Sequence, residues 1–249
     1  MVKIKNKKSK YYIISIFISF ILLPFLFFIY ITEFSSDIIL SFYYDNDNNT
    51  ASVSLGSFSF IEKIKIPEKV YNEGKYYKVV SIKENGFANK KIKYIEIPST
   101  IEKIEKGAFK NCTQLQNVKL SEGLTYIGEE SFYNCKELTN LTLPSTVKTI
   151  EDKAFSSSGL EKISFSSRLD RIEIKNNIFL NCENLKWFSI PEKTKTVKNI
   201  FSQSNIEHIY IPSSVIKIEN LECKSIYGEK ETYAEEYAKE KNINFYTLE

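Results

Sequence analysis

The side chains that most often carry nucleophilic, acid–base or metal chemistry are few in this sequence, and their spacing does not group them. The four cysteines, Cys112, Cys135, Cys182 and Cys223, include no C-x-x-C pair of the kind that binds zinc or exchanges disulfides. His208 is the single histidine, and no serine–histidine–aspartate or metal-binding motif includes it. Glycine-rich phosphate loops, H-E-x-x-H and G-x-S-x-G do not occur. We therefore expect no catalytic residue, no metal site and no cofactor, and we predict a protein that is not an enzyme.

The cysteines also have a structural interpretation. Cys112, Cys135 and Cys182 each follow an asparagine and recur at one position of a repeat. Small, weakly polar thiols suit such a buried column, since free cysteine behaves as a small hydrophobic residue. We expect buried free thiols, with a disulfide or a metal site as the alternatives.

The charge distribution argues against nucleic acid as a partner. Five lysines lie in the first ten residues, which leaves 29 of the 34 Lys and Arg against 31 Asp and Glu in the rest of the chain. A nucleic-acid-binding domain normally carries a basic stripe on its folded surface. Here the excess positive charge is confined to the N-terminal tail, so we expect no nucleic-acid binding.

An uncharged segment follows that tail, YYIISIFISFILLPFLFFIYIT, residues 11–32. About 20 residues of helix cross a hydrocarbon core of about 30 Å, so this segment is long enough to span a bilayer. Lysines precede it and Glu33 and Asp37 follow it, which places the N terminus in the cytoplasm by the positive-inside rule. We predict a basic cytoplasmic tail (1–10), a transmembrane signal-anchor (11–32) and a linker (33–41). The alternative is a cleaved signal peptide and a secreted protein.

The remaining chain is dominated by an internal repeat. Six phenylalanines are separated by 22, 23, 23, 24 and 22 residues, namely Phe87, Phe109, Phe132, Phe155, Phe179 and Phe201. Around them the pattern L-x-x-I-x-I-P-x-x-V-x-x-I-x-x-x-A-F-x-x-C returns at the same spacing. Units of this length cannot bury their apolar faces alone, so repeated units stack into one continuous solenoid.

Each column of the pattern has a mechanical role. The alternating I-x-I predicts a strand with every second side chain inward, and the proline that follows ends its ladder. The V-x-x-I predicts a second inward-facing edge, and the A-F pair predicts a short helical turn that inserts a ring into the core. We predict a mostly β, right-handed leucine-rich-repeat solenoid with short helical turns, about seven turns of 22–25 residues and a parallel concave sheet.

The two ends of the solenoid differ from its repeats. Residues 42–90 predict an N-terminal β cap and first coil, with a hairpin at FYYDNDNNTASVSL and an extra turn at 72–74. Residues 91–223 carry the repeats. Two units are irregular: the fourth has extra residues around SSRLDRIEIKNN, and the fifth is short and lacks the usual aliphatic pattern in EKTKTVKNIF. The repeat pattern therefore does not fix the register around 166–205. Residues 224–249 predict a C-terminal cap, in which Thr232 and Glu235 form a capping box before a helix and INFYTL makes a last strand.

These units resemble the BspA-like leucine-rich repeats of bacterial and protist surface proteins. The resemblance rests on units such as KIKYIEIPSTIEKIEKGAFKNC, on the entry segment VYNEGKYYKVVSIKENGF and on the exit segment ETYAEEYAKEKNINF. It covers roughly residues 42–249 and is specific for the fold rather than for a ligand. It implies a cell-surface protein that adheres to host or matrix proteins.

The outward positions of the I-x-I strand are the candidate contact residues. One column of them contains Tyr94, Asn117, Asn140, Lys162, Trp187 and His208, and the next contains Glu96, Lys119, Thr142, Ser164, Ser189 and Tyr210. Exposed aromatic clusters are enriched at interaction sites, although β-propensity alone also places aromatics on sheet faces. We predict ligand contacts at Trp187, His208, Tyr210, Lys162 and Tyr94, with Trp187 exposed.

Together these observations predict a non-enzymatic binding or adhesion protein. We expect it to be membrane-anchored through residues 11–32 and exposed at the cell surface, with extracellular proteins as its partners. The alternatives are a structural, self-associating surface protein and a glycan-binding module.

Overall fold

The computed structural model describes residues 40–56, 61–165 and 172–247. The predicted tail and membrane segment, residues 1–32, lie outside this part of the chain. Within it, no helix is long and apolar enough to cross a bilayer. The described residues form a β-solenoid of about seven turns, as the repeat predicts.

The I-x-I segments form one side of the solenoid, which we call the first sheet. Its strands, which we number in chain order over the whole molecule, are β3 (Lys63–Lys65), β6 (Tyr94–Ile97), β8 (Asn117–Leu120), β10 (Asn140–Leu143), β12 (Lys162–Phe165), β14 (Trp187–Ser189), β16 (His208–Tyr210), β18 (Ser225–Gly228) and β19 (Asn244–Thr247). Neighbouring strands pair in parallel within three ladders, β3-β6-β8, β10-β12 and β14-β16-β18-β19. The inward residues, such as Ile95 and Ile209, are fully buried.

The V-x-x-I segments form a second parallel sheet, where the sequence predicted only an inward-facing edge. Its repeat strands are β7 (Lys103–Ile104), β9 (Tyr126–Ile127), β11 (Thr149–Ile150), β13 (Glu173–Ile174), β15 (Thr196–Lys198) and β17 (Lys217–Glu219). They pair within two ladders, β7-β9-β11-β13 and β15-β17. At its N-terminal end the cap adds β1 (Leu40–Asp45), β2 (Thr50–Leu55), β4 (Lys69–Asn72) and β5 (Lys75–Ile82). Two antiparallel hairpins, β1–β2 and β4–β5, therefore cover the first coil. Strand β1 begins at Leu40, two residues before the predicted start of the cap.

The A-F segment is not helical, in contrast to the short helical turn that the sequence predicted. Gly107 and Asn111 have φ angles of 61° and 60°, in the left-handed region that a right-handed helix excludes. Alternate N–H groups instead donate to the next coil, from Gly107 to Glu129 at 2.8 Å and from Phe109 to Ser131 at 2.7 Å. Asparagine recurs here because it tolerates this conformation better than most side chains.

The phenylalanine column forms the centre of the core. The rings of Phe87, Phe109, Phe132, Phe155, Phe179 and Phe201 follow one another at centroid distances of 5.3, 5.1, 5.5, 5.9 and 5.6 Å. The first five rings are fully buried. Each ring is therefore covered by the rings of the neighbouring coils, so a single unit would leave its phenylalanine exposed to water and would not be stable alone.

In the second sheet, each of the two irregular units pairs in register with one neighbouring coil. Residues 166–171, within the predicted insertion, lie outside the described chain, and Ile174 then pairs with Ile150. In the short unit, buried Thr194 takes the valine position, and its hydroxyl donates to the Pro191 carbonyl at 2.7 Å. Val197 then pairs with Ile218. The loss of the aliphatic pattern there is thus a local replacement rather than a slip.

The C-terminal cap contains helix α1 (Tyr233–Lys241) and the last strand, β19. Thr232 is the N-cap residue, but the predicted capping box does not form. Its hydroxyl donates to the Glu229 carbonyl at 2.8 Å, and Glu235 accepts from the Glu231 N–H at 2.7 Å. Ala234, Tyr237 and Ala238 close the end of the core.

Candidate functional site

The outward positions of the first sheet line up as the sequence predicted. Tyr94 pairs with Asn117, Asn140 with Lys162, and Trp187 with His208. These pairs point outward because the residues that follow them, such as Ile95 and Phe188, are buried in the core. The face is polar over its N-terminal coils and aromatic over its last four.

Four rings form the aromatic part of this face, which we call the aromatic strip: Trp187, His208, Tyr227 and Tyr246. The Trp187 ring lies 6.0 Å from His208 and 4.8 Å from Tyr227, between centroids. Tyr227 lies 5.9 Å from His208 and stacks on Tyr246 at 5.1 Å. Trp187 is 42% exposed and Tyr246 is 49% exposed. The strip therefore presents connected aromatic surface to solvent in a fixed arrangement.

His208 is held in the strip by ring contacts rather than by hydrogen bonds at both nitrogens. Its Nδ1 is buried and has no hydrogen-bond partner within the described residues. Its ring contacts those of Trp187 and Tyr227, which also contact each other, so the three rings form a triangle. The side chain therefore contributes mainly ring surface to the face.

Tyr210 lies beside the strip and not within its ring contacts. It pairs with Ser189 and with Tyr227 along the sheet, and its hydroxyl lies 3.2 Å from Glu192 Oε1. Partial burial, together with the negative charge of Glu192, raises the pKa of Tyr210. The phenol remains protonated at neutral pH and serves as a hydrogen-bond group at the edge of the strip.

The other two predicted contact residues are separated from the strip to different degrees. Lys162 is exposed on β12, which adjoins β14, the strand that carries Trp187. Tyr94 is half-buried on β6, several coils away. The structure thus brings Trp187, His208 and Tyr210 together, leaves Lys162 at the border and separates Tyr94.

Sequence analysis missed Tyr227 and Tyr246, which complete the strip. Their strands were assigned to the C-terminal cap, where the I-x-I-P pattern is lost. The inward positions Ile226 and Phe245 continue the alternation of the repeats, so the same period-2 rule predicts that both tyrosines point outward.

Charged side chains border the strip and neutralise one another. Glu207 accepts from Lys224 at 2.8 Å and lies 3.7 Å from Lys186. The hydrogen bond from Lys224 lowers the pKa of Glu207. A shallow groove of about 330 Å³ runs beside these residues and is lined mostly by polar groups, including Asn205 and Cys223. Small-molecule sites are usually enclosed and apolar, so this groove does not resemble one.

The sequence profile described as BspA type leucine rich repeat region matches in six copies, over residues 80–199 and 114–226, which together are more than half of the chain. The chain belongs to the BspA-type leucine-rich repeat family. A comparison with curated proteins found no match.

Solved structures share the BspA-type solenoid. A leucine-rich repeat protein from T. pallidum is 18% identical, with a TM-score of 0.62 over 78% of this chain and 85% of that chain. One from Bacteroides ovatus is 20% identical, with a TM-score of 0.52 over 86% of this chain and 67% of that chain. At these identities the likeness shows the fold and leaves the ligand open.

The cysteines of this BspA-type chain are structural. Cys112, Cys135 and Cys182 are buried and free, as predicted, and Cys223 is half-buried and free. Burial raises the pKa of Cys112 to about 12 and that of Cys223 to about 11. In the part of the chain that the structure describes, no group of histidine, cysteine and carboxylate side chains has the arrangement of a metal site. The buried cysteines therefore contribute to the core, and the exposed rings of the aromatic strip remain the candidate contact surface.

Proposed function

We propose that this chain is a membrane-anchored surface protein that binds extracellular protein partners through its aromatic strip. The observation that carries this proposal is the packed set of Trp187, His208, Tyr227 and Tyr246 on an otherwise polar sheet face, in which Trp187 and Tyr246 are exposed. Exposed apolar patches on soluble domains commonly mark interaction sites.

The chemistry of the strip favours a protein partner. Tryptophan and tyrosine are enriched among residues that dominate protein interfaces. Their rings have few rotatable bonds, and here each ring already contacts a neighbour, so little side-chain freedom remains to be lost on binding. The neutralised lysines and glutamates around the strip supply a polar rim.

The location follows from the sequence before the solenoid. The uncharged residues 11–32 are long enough to span a bilayer, and the preceding lysines orient them with the N terminus in the cytoplasm. The solenoid then lies outside the cytoplasmic membrane. Cleavage after this segment would release the same binding domain.

A non-catalytic role follows from the residues available. The nucleophilic thiols of the repeats are buried, and their raised pKa values keep them protonated. The strip holds one histidine and no carboxylate within its ring contacts. Family membership describes a repeat rather than a reaction.

The decisive experiment compares strip variants in binding to purified extracellular-matrix proteins. The full chain and its Trp187→Ser and Tyr227→Ser variants are immobilised and tested against the same panel by surface plasmon resonance. The matched control is Tyr233→Ser, which removes an exposed tyrosine from α1, outside the strip. We expect each strip variant to weaken binding at least about 30-fold, as for an interface hot spot, while the control binds normally.

Four results would contradict this proposal. Equal binding by the strip variants and the parent chain would exclude the strip as the contact surface. Binding only to a second copy of the chain would favour a structural, self-associating role. Binding to an array of purified glycans, with no protein bound, would favour a glycan-binding module. Unfolding of Trp187→Ser, measured by circular dichroism, would show that the indole is part of the core.

A further inference from the structure

A second group of exposed aromatic side chains lies in the N-terminal cap, on the other sheet. Tyr71 and Tyr76 are 56% and 61% exposed, and Tyr43 is 36% exposed. Tyr71 and Tyr76 pair directly across the β4–β5 hairpin, with ring centroids 5.0 Å apart. These three tyrosines are separate from the aromatic strip and need their own explanation.

The strand register puts the three tyrosines on one face. Phe42 packs on the core, so Tyr43, the next residue of β1, points outward. Tyr77 is buried, so Tyr76 before it in β5 points outward, and Tyr71 is opposite Tyr76. The three strands, β1, β4 and β5, belong to the second sheet. We call this surface the tyrosine face.

Lysine ammonium groups accompany the rings of the tyrosine face. Lys83 Nζ lies 4.2 Å from the centroid of the Tyr43 ring, and Lys69 Nζ lies 4.8 Å from that of Tyr76. Among the residues that the structure describes, neither lysine forms an ion pair with a carboxylate. A cation–π contact exposed to water is weak, so both ammonium groups can still bind an anionic partner.

The sequence brings a bilayer close to this face. Seven residues, 33–39, separate the apolar segment 11–32 from Leu40 at the start of β1. Fully extended, seven residues reach at most about 25 Å. A short tether of this kind gives a high effective concentration, so a contact that would be weak in solution becomes populated.

We propose that the tyrosine face docks on the surface of the membrane in which the chain is anchored. This inference rests on the anchoring proposed above. Tyrosine rings suit the boundary between headgroups and acyl chains, while Lys69 and Lys83 extend their ammonium groups to anionic headgroups. Docking through the second sheet leaves the aromatic strip, which lies on the first sheet, uncovered for a partner.

The test uses the full chain in nanodiscs of phosphatidylcholine, with or without about one third phosphatidylglycerol. Hydrogen–deuterium exchange of the β4–β5 hairpin amides is measured in both, and the readout is the ratio of the two rates. We expect exchange about tenfold slower in the anionic discs, with the difference reduced at high salt because screening weakens the lysine contacts. Because both rates come from the same protein, a variant that changes the stability of the hairpin itself changes both rates equally and leaves the ratio unaffected.

Two double variants identify the groups responsible. Lys69→Gln with Lys83→Gln keeps the tyrosine pair, and Tyr71→Ser with Tyr76→Ser keeps the lysines; both should bring the ratio close to one. The matched control, Lys230→Gln with Tyr233→Ser in the C-terminal cap, should keep the full difference.

The contradicting outcomes are distinct. A ratio near one for the parent chain, or a ratio that both double variants leave unchanged, overturns the docking proposal while the chain remains anchored. A chain that is not retained in either disc overturns the anchoring and the docking together. Binding of matrix proteins through Trp187 is measured separately and does not depend on these ratios.

Discussion

The thiol of Cys135 donates a hydrogen bond to the main-chain carbonyl oxygen of Phe109, one coil earlier, at 3.3 Å. Cys112 makes the same contact with the Phe87 carbonyl at 3.0 Å. Where a later unit has serine in place of cysteine, the Ser204 hydroxyl also donates to a phenylalanine carbonyl, that of Phe179. The cysteine column therefore links successive coils by side-chain to main-chain hydrogen bonds inside an apolar core.

The reactivity of Cys223 should differ from that of the three buried column cysteines, Cys112, Cys135 and Cys182. Burial raises the pKa of Cys112 to about 12, and the groove beside half-buried Cys223 is open to solvent. Because the thiolate is the reactive form, we expect iodoacetamide at pH 8 to modify Cys223 first and the three column cysteines only after unfolding in urea. Mass spectrometry of native and unfolded protein measures this. Rapid labelling of Cys112 in the native protein would contradict this expectation. So would rapid labelling of the folded Cys223→Ser variant, in which only the column cysteines remain.

The same pKa shift predicts how stability depends on pH. Cys112 titrates near 9.0 when unfolded and near 12 when folded. Below pH 9 both states are protonated, whereas between pH 9 and 12 only the unfolded thiol ionises, so stability falls as pH rises through that window. Urea unfolding at several pH values should show a shallower fall for Cys112→Ser, because serine keeps the hydrogen bond and does not titrate there. An identical fall in both proteins would assign the effect to other groups.

Removing one ring of the phenylalanine column should be costly. Phe132 is fully buried between Phe109 at 5.1 Å and Phe155 at 5.5 Å. We expect Phe132→Ala to lower the free energy of unfolding by about 3–5 kcal/mol, because the rigid neighbours cannot fill the space. The control is Tyr133→Ala, since the Tyr133 side chain is only partly buried. Equal losses in urea titrations of the two variants would argue against a rigid column.

A ladder of asparagine side chains joins successive coils at the A-F segment, and its contribution to stability can be measured. Asn111 donates to Asn89 Oδ1 at 3.0 Å and accepts from Asn134 Nδ2 at 3.0 Å, with φ at 60°. We expect Asn111→Ala to cost about 1–2 kcal/mol, since alanine disfavours left-handed backbone. Asn111→Gly loses the same hydrogen bonds and adopts that backbone freely, so it should cost less. A lower unfolding temperature for Asn111→Gly than for Asn111→Ala would show that the left-handed backbone is not the reason for the loss.

Gly159 lies directly against the main chain of the preceding coil. A Cβ at this position would lie 1.9 Å from the Lys136 carbonyl oxygen, and the Gly159 N–H donates to the Cys135 carbonyl at 3.0 Å. We expect Gly159→Ala to destabilise the protein by about 1–3 kcal/mol through this clash. Glu161→Ala, at an exposed position nearby, should change stability by less than about 0.5 kcal/mol. Similar unfolding midpoints for both variants would rule out the close approach.

The sequence predicted the coil because the same inward positions are apolar in nearly every unit. The alternation that buries Ile95 and Phe188 also determines that Tyr94 and Trp187 point outward, so the register of the first sheet could be predicted. The second sheet was less evident, since strands of two or three residues such as Lys103–Ile104 are too short to show a period.

The pattern of apolar residues could not predict the backbone conformation of the turns or the choice between competing hydrogen bonds. The A-F turn was predicted as helical because an alanine and a phenylalanine favour helix as readily as turn, while the left-handed residues Gly107 and Asn111 decide against it. Thr232 was expected to cap α1 through its hydroxyl, which instead donates to Glu229. Tyr227 and Tyr246 were missed because the cap strands were not aligned with the repeats.

The hydrogen bonds that join coil to coil run along the length of the stack, while the strands lie across it. A tensile load between β1 at one end and Trp187 near the other therefore pulls these bonds apart in line, one coil after another, instead of shearing a whole sheet at once. Each coil that opens releases about 80 Å of slack chain. We therefore expect a solenoid held at one end and loaded at the other to lengthen one coil at a time, and to refold when the load is removed.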